Sequence, residues 1–329
     1  MTDQPTPASL LSLLGGFPAR PSLDTVTIAT NRTDDSTESL VSYTTLSGER
    51  VEALLLVPHR PRVHPTPAVI AVHQDGDRRP YTVGKSEVAG RAGDPSLAYG
   101  RELCQRGYVV ICPDRFGFES RALARSAHAA QFAAFPIQST TTGTDLTEDL
   151  FKGAVANRLL FSGWTSLGKE LFELSRIVDY LSEVTPTVDP GRIGVIGHSA
   201  GGHLVPYLMF VDDRVKVGCA SCGTWFFAHA FRADQLRPMQ GFGSFMTVPG
   251  MADWGDTDDV LAGIAPRPYW EHRGDFGVDF GAADLIRKAE QRYAHLGMSE
   301  RFRFREHQAG HVFPQLLREE AYQWFDRWL

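Results

Sequence analysis

Side chains that can together turn an alcohol into a nucleophile occur in a defined order along this 329-residue chain. Residues 192–203 read Arg-Ile-Gly-Val-Ile-Gly-His-Ser-Ala-Gly-Gly-His, and Gly197-His198-Ser199-Ala200-Gly201 spells G-x-S-x-G. An apolar run, Ile193 to Ile196, precedes it, and a helix-like run, Ala200 to Val211, follows. In a strand–turn–helix setting this motif holds its serine on a strained backbone with the hydroxyl exposed. Glycines two residues before and after the serine remove the Cβ atoms that would collide in so sharp a turn. A hydroxyl attacks poorly until a base takes its proton, and the base needs a carboxylate to fix its tautomer. The pattern therefore points to acyl transfer through Ser199, with its partners further along the chain.

His311 is the expected base. It sits in Gln308-Ala309-Gly310-His311, between a strand-like run, Phe302–Glu306, and the last helix-like run, Val312–Leu329. His307 is the second candidate. His198 lies within the turn and His203 on the following helix, so neither is expected to serve. The acid is sought in 266–280, Pro-Arg-Pro-Tyr-Trp-Glu-His-Arg-Gly-Asp-Phe-Gly-Val-Asp-Phe. Asp275, beside Gly274 and just past a short strand, leads. Asp279 and Glu271 are the alternatives, and Glu271 can instead pair with an arginine. Developing negative charge needs two donors. One is the N–H of Ala200, reinforced by the positive end of its helix. The other is expected from Gln74 or Asp75 in the turn His73-Gln74-Asp75-Gly76. The Asp75 carboxylate would repel an oxyanion, so it is expected to turn away, toward Arg78 or Arg79.

Positioning these groups requires a sheet. Thr25–Asn31, Leu40–Leu46 and Val51–Pro58 read as antiparallel strands, with Ser47-Gly48-Glu49 turning between the last two. Ala68–Val72, Tyr108–Cys112, Ile193–Ile196, Val215–Ala220, Tyr269–His272 and Phe302–Glu306 read as buried parallel strands. Helical spacing marks Leu97–Arg106, Leu167–Val184 and Ala282–Leu296 between them. The alternation predicts an α/β fold: a mostly parallel central sheet with helices on both faces, led in by antiparallel strands. Residues 1–24 read as an N-terminal extension and 25–329 as one domain. Two long segments, about 115–163 and 223–266, interrupt the alternation and leave the ends of strands where ligands of such sheets sit. Both are rich in aromatics, which suit either core packing or a cap with an acyl or aryl pocket. Trp225, Phe226, Glu119 and Arg121 are the pocket candidates. Arg121 could hold a substrate carboxylate, but a structural ion pair is favoured.

Composition narrows the functions. The chain is 43% hydrophobic and 22% charged, with net charge −6. That is an ordinary globular balance, with no basic stripe for nucleic acid. Met1 to Pro21 lacks the positive start of a secretory leader, and the least charged stretches are broken or too short to span a bilayer. A cytoplasmic, non-membrane protein is expected. Cys219 and Cys222 form a C-x-x-C without a second pair, so buried thiols are expected rather than zinc or redox chemistry. No metal or organic cofactor is called for. The expected partner is a small-molecule ester; the oligomeric state is not legible.

The chain resembles the α/β-hydrolase superfamily from about Leu40 to Leu329. Several segments are similar to its dienelactone-hydrolase and acetyl-xylan-esterase-like branch. They are His73-Gln74 after a strand, Gly84-Lys85-Ser86-Glu87 with Gly90 to Pro95, Arg106-Gly107-Tyr108-Val109-Val110, Pro113-Asp114-Arg115-Phe116-Gly117-Phe118-Glu119-Ser120-Arg121, and Val188-Asp189-Pro190-Gly191-Arg192-Ile193-Gly194. The resemblance implies the α/β-hydrolase fold and ester hydrolysis through an acyl-enzyme, with Ser199, Asp275 and His311 at the matching positions. Dienelactone hydrolases often carry a cysteine nucleophile; this chain has serine. A small amidase or peptidase with the same triad is the alternative function, and a non-catalytic binding protein on this fold the third.

Overall fold

A computed structural model describes residues 5–46, 48–75, 83–134, 147–224, 247–275 and 281–329. Nine strands form one sheet: β1 (Val26–Arg32), β2 (Ser36–Thr44), β3 (Arg50–Pro58), β4 (Thr66–Val72), β5 (Val109–Pro113), β6 (Val188–His198), β7 (Val215–Ser221), β8 (Tyr269–Gly274) and β9 (Phe302–His307). Their order is β1-β2-β3-β5-β4-β6-β7-β8-β9. The β1–β2, β2–β3 and β3–β5 pairs are antiparallel and the others parallel, as the alternation predicts.

β4 shows why the sheet is covered twice. All seven of its residues are buried. Because successive side chains point to opposite faces, Ala68, Ile70 and Val72 join one apolar cluster and Val69 and Ala71 the other. Helices Ser166–Glu183 and Ala200–Val211 bury their apolar residues in the first cluster; Tyr99–Gln105 and Gln315–Trp328 bury theirs in the second. Among the described residues, no helix is long and apolar enough to cross a membrane.

Several details refine the sequence expectation. β2 begins at Ser36 rather than Leu40, because Glu38, buried within it, is neutralised by Arg91 and Arg101. The last helix begins at Gln315 rather than Val312. Pro314 caps it, and a residue before proline is held out of the helical region. The N-terminal extension contains a helix, Pro7–Leu13, and Leu10 and Leu14 lie in the core. Within the second insertion, helix Thr257–Ile264 packs Val260, Leu261 and Ile264 into the core. The first insertion also carries a helix, Thr147–Phe161, whose Phe151 meets the rings of Phe116 and Phe132. Trp225, Phe226 and Asp279 lie outside the described residues.

The parallel registers align the strand ends. Val72 sits opposite Gly197, His198 opposite Ser221, Ser221 opposite His272, and Gly274 opposite His307. The chain therefore leaves β4, β6, β8 and β9 on one rim, where His73, Ser199, Asp275 and His311 follow.

Candidate active site

Ser199 has φ +55° and ψ −124°, a backbone that a side-chain-bearing residue adopts only under strain of about 1–3 kcal/mol. The surroundings enforce it. Ser199 N–H donates to Ser221 O at 2.8 Å, and Ser199 O accepts from His203 N–H at 2.9 Å. A Cβ at Gly197 would lie 2.4 Å from the backbone of Gly201, and a Cβ at Gly201 2.2 Å from Val72 O. The two glycines thus let the new helix touch both β6 and the end of β4, bringing the loop after β4 toward the serine. Gly201→Ala is expected to lose about 3 kcal/mol or more, because backbone rather than a movable side chain stands in the way. Chemical denaturation checks this, and an unchanged midpoint would contradict it.

His311 Nε2 lies 2.7 Å from Ser199 Oγ. Gly310, with φ +72°, turns the loop, and buried Phe313 anchors its far side. His307, the second candidate, is engaged elsewhere. Its Nδ1 accepts from Ala309 N–H at 3.2 Å, and its Nε2 faces His272 Nδ1 at 3.2 Å. The His198 ring lies 4.9 Å from that of His311, with Nδ1 2.7 Å from Ser221 Oγ. Burial, and then His311, push its pKa down to about 3. A neutral His198 adds no positive charge beside His311.

His73 and His203 are likewise held neutral, chiefly by burial, with pKa values down to about 3 and about 4. In the unfolded chain these histidines and His198 take up protons below about pH 6.5. The unfolded state then binds more protons than the native state, so stability is complete above that pH and falls as pH drops toward the folded values. Each contributes up to about 1.4 kcal/mol per pH unit in that window. The urea midpoint at about pH 5 should therefore fall clearly below that at about pH 7.5, and coincident midpoints would contradict this reading.

Asp275 follows Gly274 at the end of β8, and its N–H donates to His307 O at 2.8 Å. A Cβ at Gly274 would lie 1.7 Å from Gly310 O, so the strand end and the histidine loop are in backbone contact. Glu271 is fully buried, and burial pushes its pKa up. It accepts from the Tyr269 hydroxyl at 2.8 Å and from Thr224, and the charge of Arg273 acts on it as well.

The loop after β4 is fixed from behind. His73 Nδ1 donates to Gln74 O at 2.7 Å, leaving Nε2 to accept from Arg115 N–H at 3.0 Å. Arg115 Nη1 donates to Asp75 Oδ1 at 2.6 Å, and its Nε to Glu170 at 3.1 Å. Asp75 thus turns to Arg115; Arg78 and Arg79, its expected partners, lie outside the described residues. Against the cost of its burial, Arg115 and Lys152 hold the Asp75 carboxyl well below the usual range. Among the described residues, the N–H groups of Gln74, Asp75 and Ala200 meet no acceptor.

A cavity of about 370 Å³ opens over Ser199 and His311. Asp75, Glu87, Asp94 and Ser96 make part of its wall polar, while Leu97 and Phe313 make another part apolar. Glu119 and Arg121, expected in the pocket, do not line it. Glu119 accepts from Gly84 N–H at 2.7 Å, Ser86 N–H at 2.9 Å and Lys85 Nζ at 2.8 Å, holding the segment before Glu87. Arg121 makes a two-pronged contact with Glu173, 2.7 Å on each side. Sequence reasoning missed Arg115 and His73 as supports. Their signal was position alone, Arg115 two residues past β5 and His73 one past β4.

No family profile matches the chain. A curated protein of Bacillus subtilis (strain 168), named "Putative hydrolase YtaP", is 27% identical over 330 residues, covering 97% of each chain. The crystal structure of a "putative acetyl xylan esterase" from Bacteroides fragilis superposes with a TM-score of 0.70 at 16% identity, covering 97% of this chain and 80% of that one. A glucuronoyl esterase from Solibacter usitatus gives 0.66 at 14%, covering 97% and 91%. With its sheet order, its serine turn and these neighbours, the chain has the α/β-hydrolase fold.

Proposed function

We propose that this protein hydrolyses carboxylic esters through an acyl-enzyme on Ser199. The observation that carries the reading is the 2.7 Å approach of His311 Nε2 to Ser199 Oγ at the mouth of a cavity. His311 takes the hydroxyl proton as Oγ attacks the ester carbonyl carbon. The carbonyl oxygen becomes an oxyanion, stabilised by the N–H of Ala200 and that of Gln74 or Asp75. The C–O bond to the alcohol breaks, and His311 hands its proton to the departing oxygen. Water, deprotonated by His311, then attacks the acyl-enzyme, and Ser199 leaves with the proton restored. Asp275 holds the His311 tautomer and balances the imidazolium. Arg115 and His73 contribute by holding the oxyanion loop, since donors that need no reorganisation stabilise the transition state best.

The substrate is proposed to be a sugar ester: a small acyl group on a sugar hydroxyl, or the methyl ester of a sugar acid. The polar part of the cavity wall supports this, as do the acetyl xylan and glucuronoyl esterases among the structural neighbours. The test is a panel of p-nitrophenyl esters, acetylated sugars, uronate methyl esters and matched amides. Acetyl or methyl esters should turn over while the amides do not. A chain that cleaves amides and leaves every ester intact would overturn the reading.

A further inference from the structure

Beside the serine site lies a second group of reactive side chains that the hydrolytic cycle does not use. Cys222 follows the end of β7, His272 lies in β8 and His307 ends β9, so three adjacent parallel strands deliver one residue each to the same rim. One potential ligand atom from each residue lies within 4.8 Å of the others. Cys222 and His272 are buried and His307 is half-buried.

We propose that Cys222, His272 and His307 form a binding site for a zinc-like divalent cation. The ring nitrogens His272 Nδ1 and His307 Nε2 face each other at 3.2 Å. Two nitrogens bound to tetrahedral zinc at about 2.05 Å stand about 3.3 Å apart, so the rings already hold that spacing. A thiolate and two imidazoles are a ligand set that zinc takes, and three protein ligands leave a fourth position open. Cys222 is held at φ +50°, by its own N–H donating to His272 O at 2.8 Å. Gly274 N–H donates to its sulfur at 3.3 Å, and the thiol in turn donates to Val312 O at 3.7 Å, a contact that a bound cation would replace.

The protonation states follow from the contacts. His307 Nδ1 accepts from Ala309 N–H, so His307 carries its proton on Nε2 and donates it to His272 Nδ1. His272 then carries its own proton on Nε2, a buried group that meets no hydrogen-bond partner among the described residues. On binding, the His307 proton passes through solvent from Nε2 to Nδ1, the Ala309 contact opens, and the cation takes the place between the rings. Cys222 loses its thiol proton to solvent, and the sulfur closes on the same point. The ion would tie β7 and β9 together four residues before His311, steadying the loop that carries the base. The C-x-x-C of Cys219 and Cys222 carried no such expectation, because the other two ligands come from strands distant in sequence.

The test uses the full chain, freed of metal with a chelator and titrated with Co²⁺ as a coloured stand-in for Zn²⁺. One equivalent should bind, with a thiolate-to-cobalt charge-transfer band that Zn²⁺ then removes. Cys222→Ser should lose that band, and His307→Asn should weaken binding about tenfold or more. Circular dichroism and labelling of Ser199 by a fluorophosphonate verify that each variant is folded. Should Cys222→Ser fail to fold, the half-buried His307→Asn carries the test. No stoichiometric cobalt in the wild-type chain, or a band that survives Cys222→Ser, would overturn the proposal. Since metal uptake is read directly, it stands or falls apart from ester hydrolysis.

Discussion

Ser199→Ala is expected to reduce kcat/KM for a p-nitrophenyl ester by about 10⁴-fold or more, with His311→Ala close behind. The size follows from what each removes. Without Oγ no acyl-enzyme forms, and without the imidazole Oγ keeps its proton at neutral pH. The pair acts as one unit across the 2.7 Å contact, so the double variant should be hardly worse than either single one. Residual turnover would come from the oxyanion donors alone. Steady-state kinetics on the three variants checks this. Multiplying losses would mean that the two residues act independently, against the geometry.

The second large effect concerns the acid. Asp275→Asn should lower kcat by about 10³- to 10⁴-fold with little change in KM, because a neutral amide neither fixes the correct His311 tautomer nor balances its charge. Glu271→Gln should leave kcat within a few-fold. Its oxygens accept from Tyr269 and Thr224 inside the sheet, so the change touches packing rather than the reaction. A full rate for Asp275→Asn with a collapse for Asp279→Asn would move the role four residues along. The backbone contacts that bring Asp275 to the histidine loop favour the first outcome.

The elements most legible in the sequence were those whose physics is local. Gly197 is demanded by the backbone of Gly201, four residues on, so the serine turn could be read from five residues. β4 could be read because burial on both faces leaves an unbroken apolar run. What stayed hidden depends on partners far along the chain. The start of β2 was missed because Glu38 looks like a surface residue until Arg91 and Arg101 neutralise it. The Arg115 partner of Asp75 was not foreseen, because it is forty residues away in sequence and beside it only in space. The structural ion pair favoured for Arg121 is present, but nothing local in the sequence reveals that its partner is Glu173. The terminal helix was started three residues early for a different reason: its amphipathic pattern runs back through Val312, but Pro314 sets the first turn and leaves His311 on a loop.

The central claim is that His311 activates Ser199 for attack on an electrophile. It is tested most directly by the rate at which a fluorophosphonate labels the chain, read by intact mass and peptide mapping. A single adduct on the peptide holding Ser199 is expected, its rate falling by orders of magnitude in His311→Ala while the fold is retained. Labelling that proceeds as fast without His311, or an adduct that maps to another residue, would contradict it.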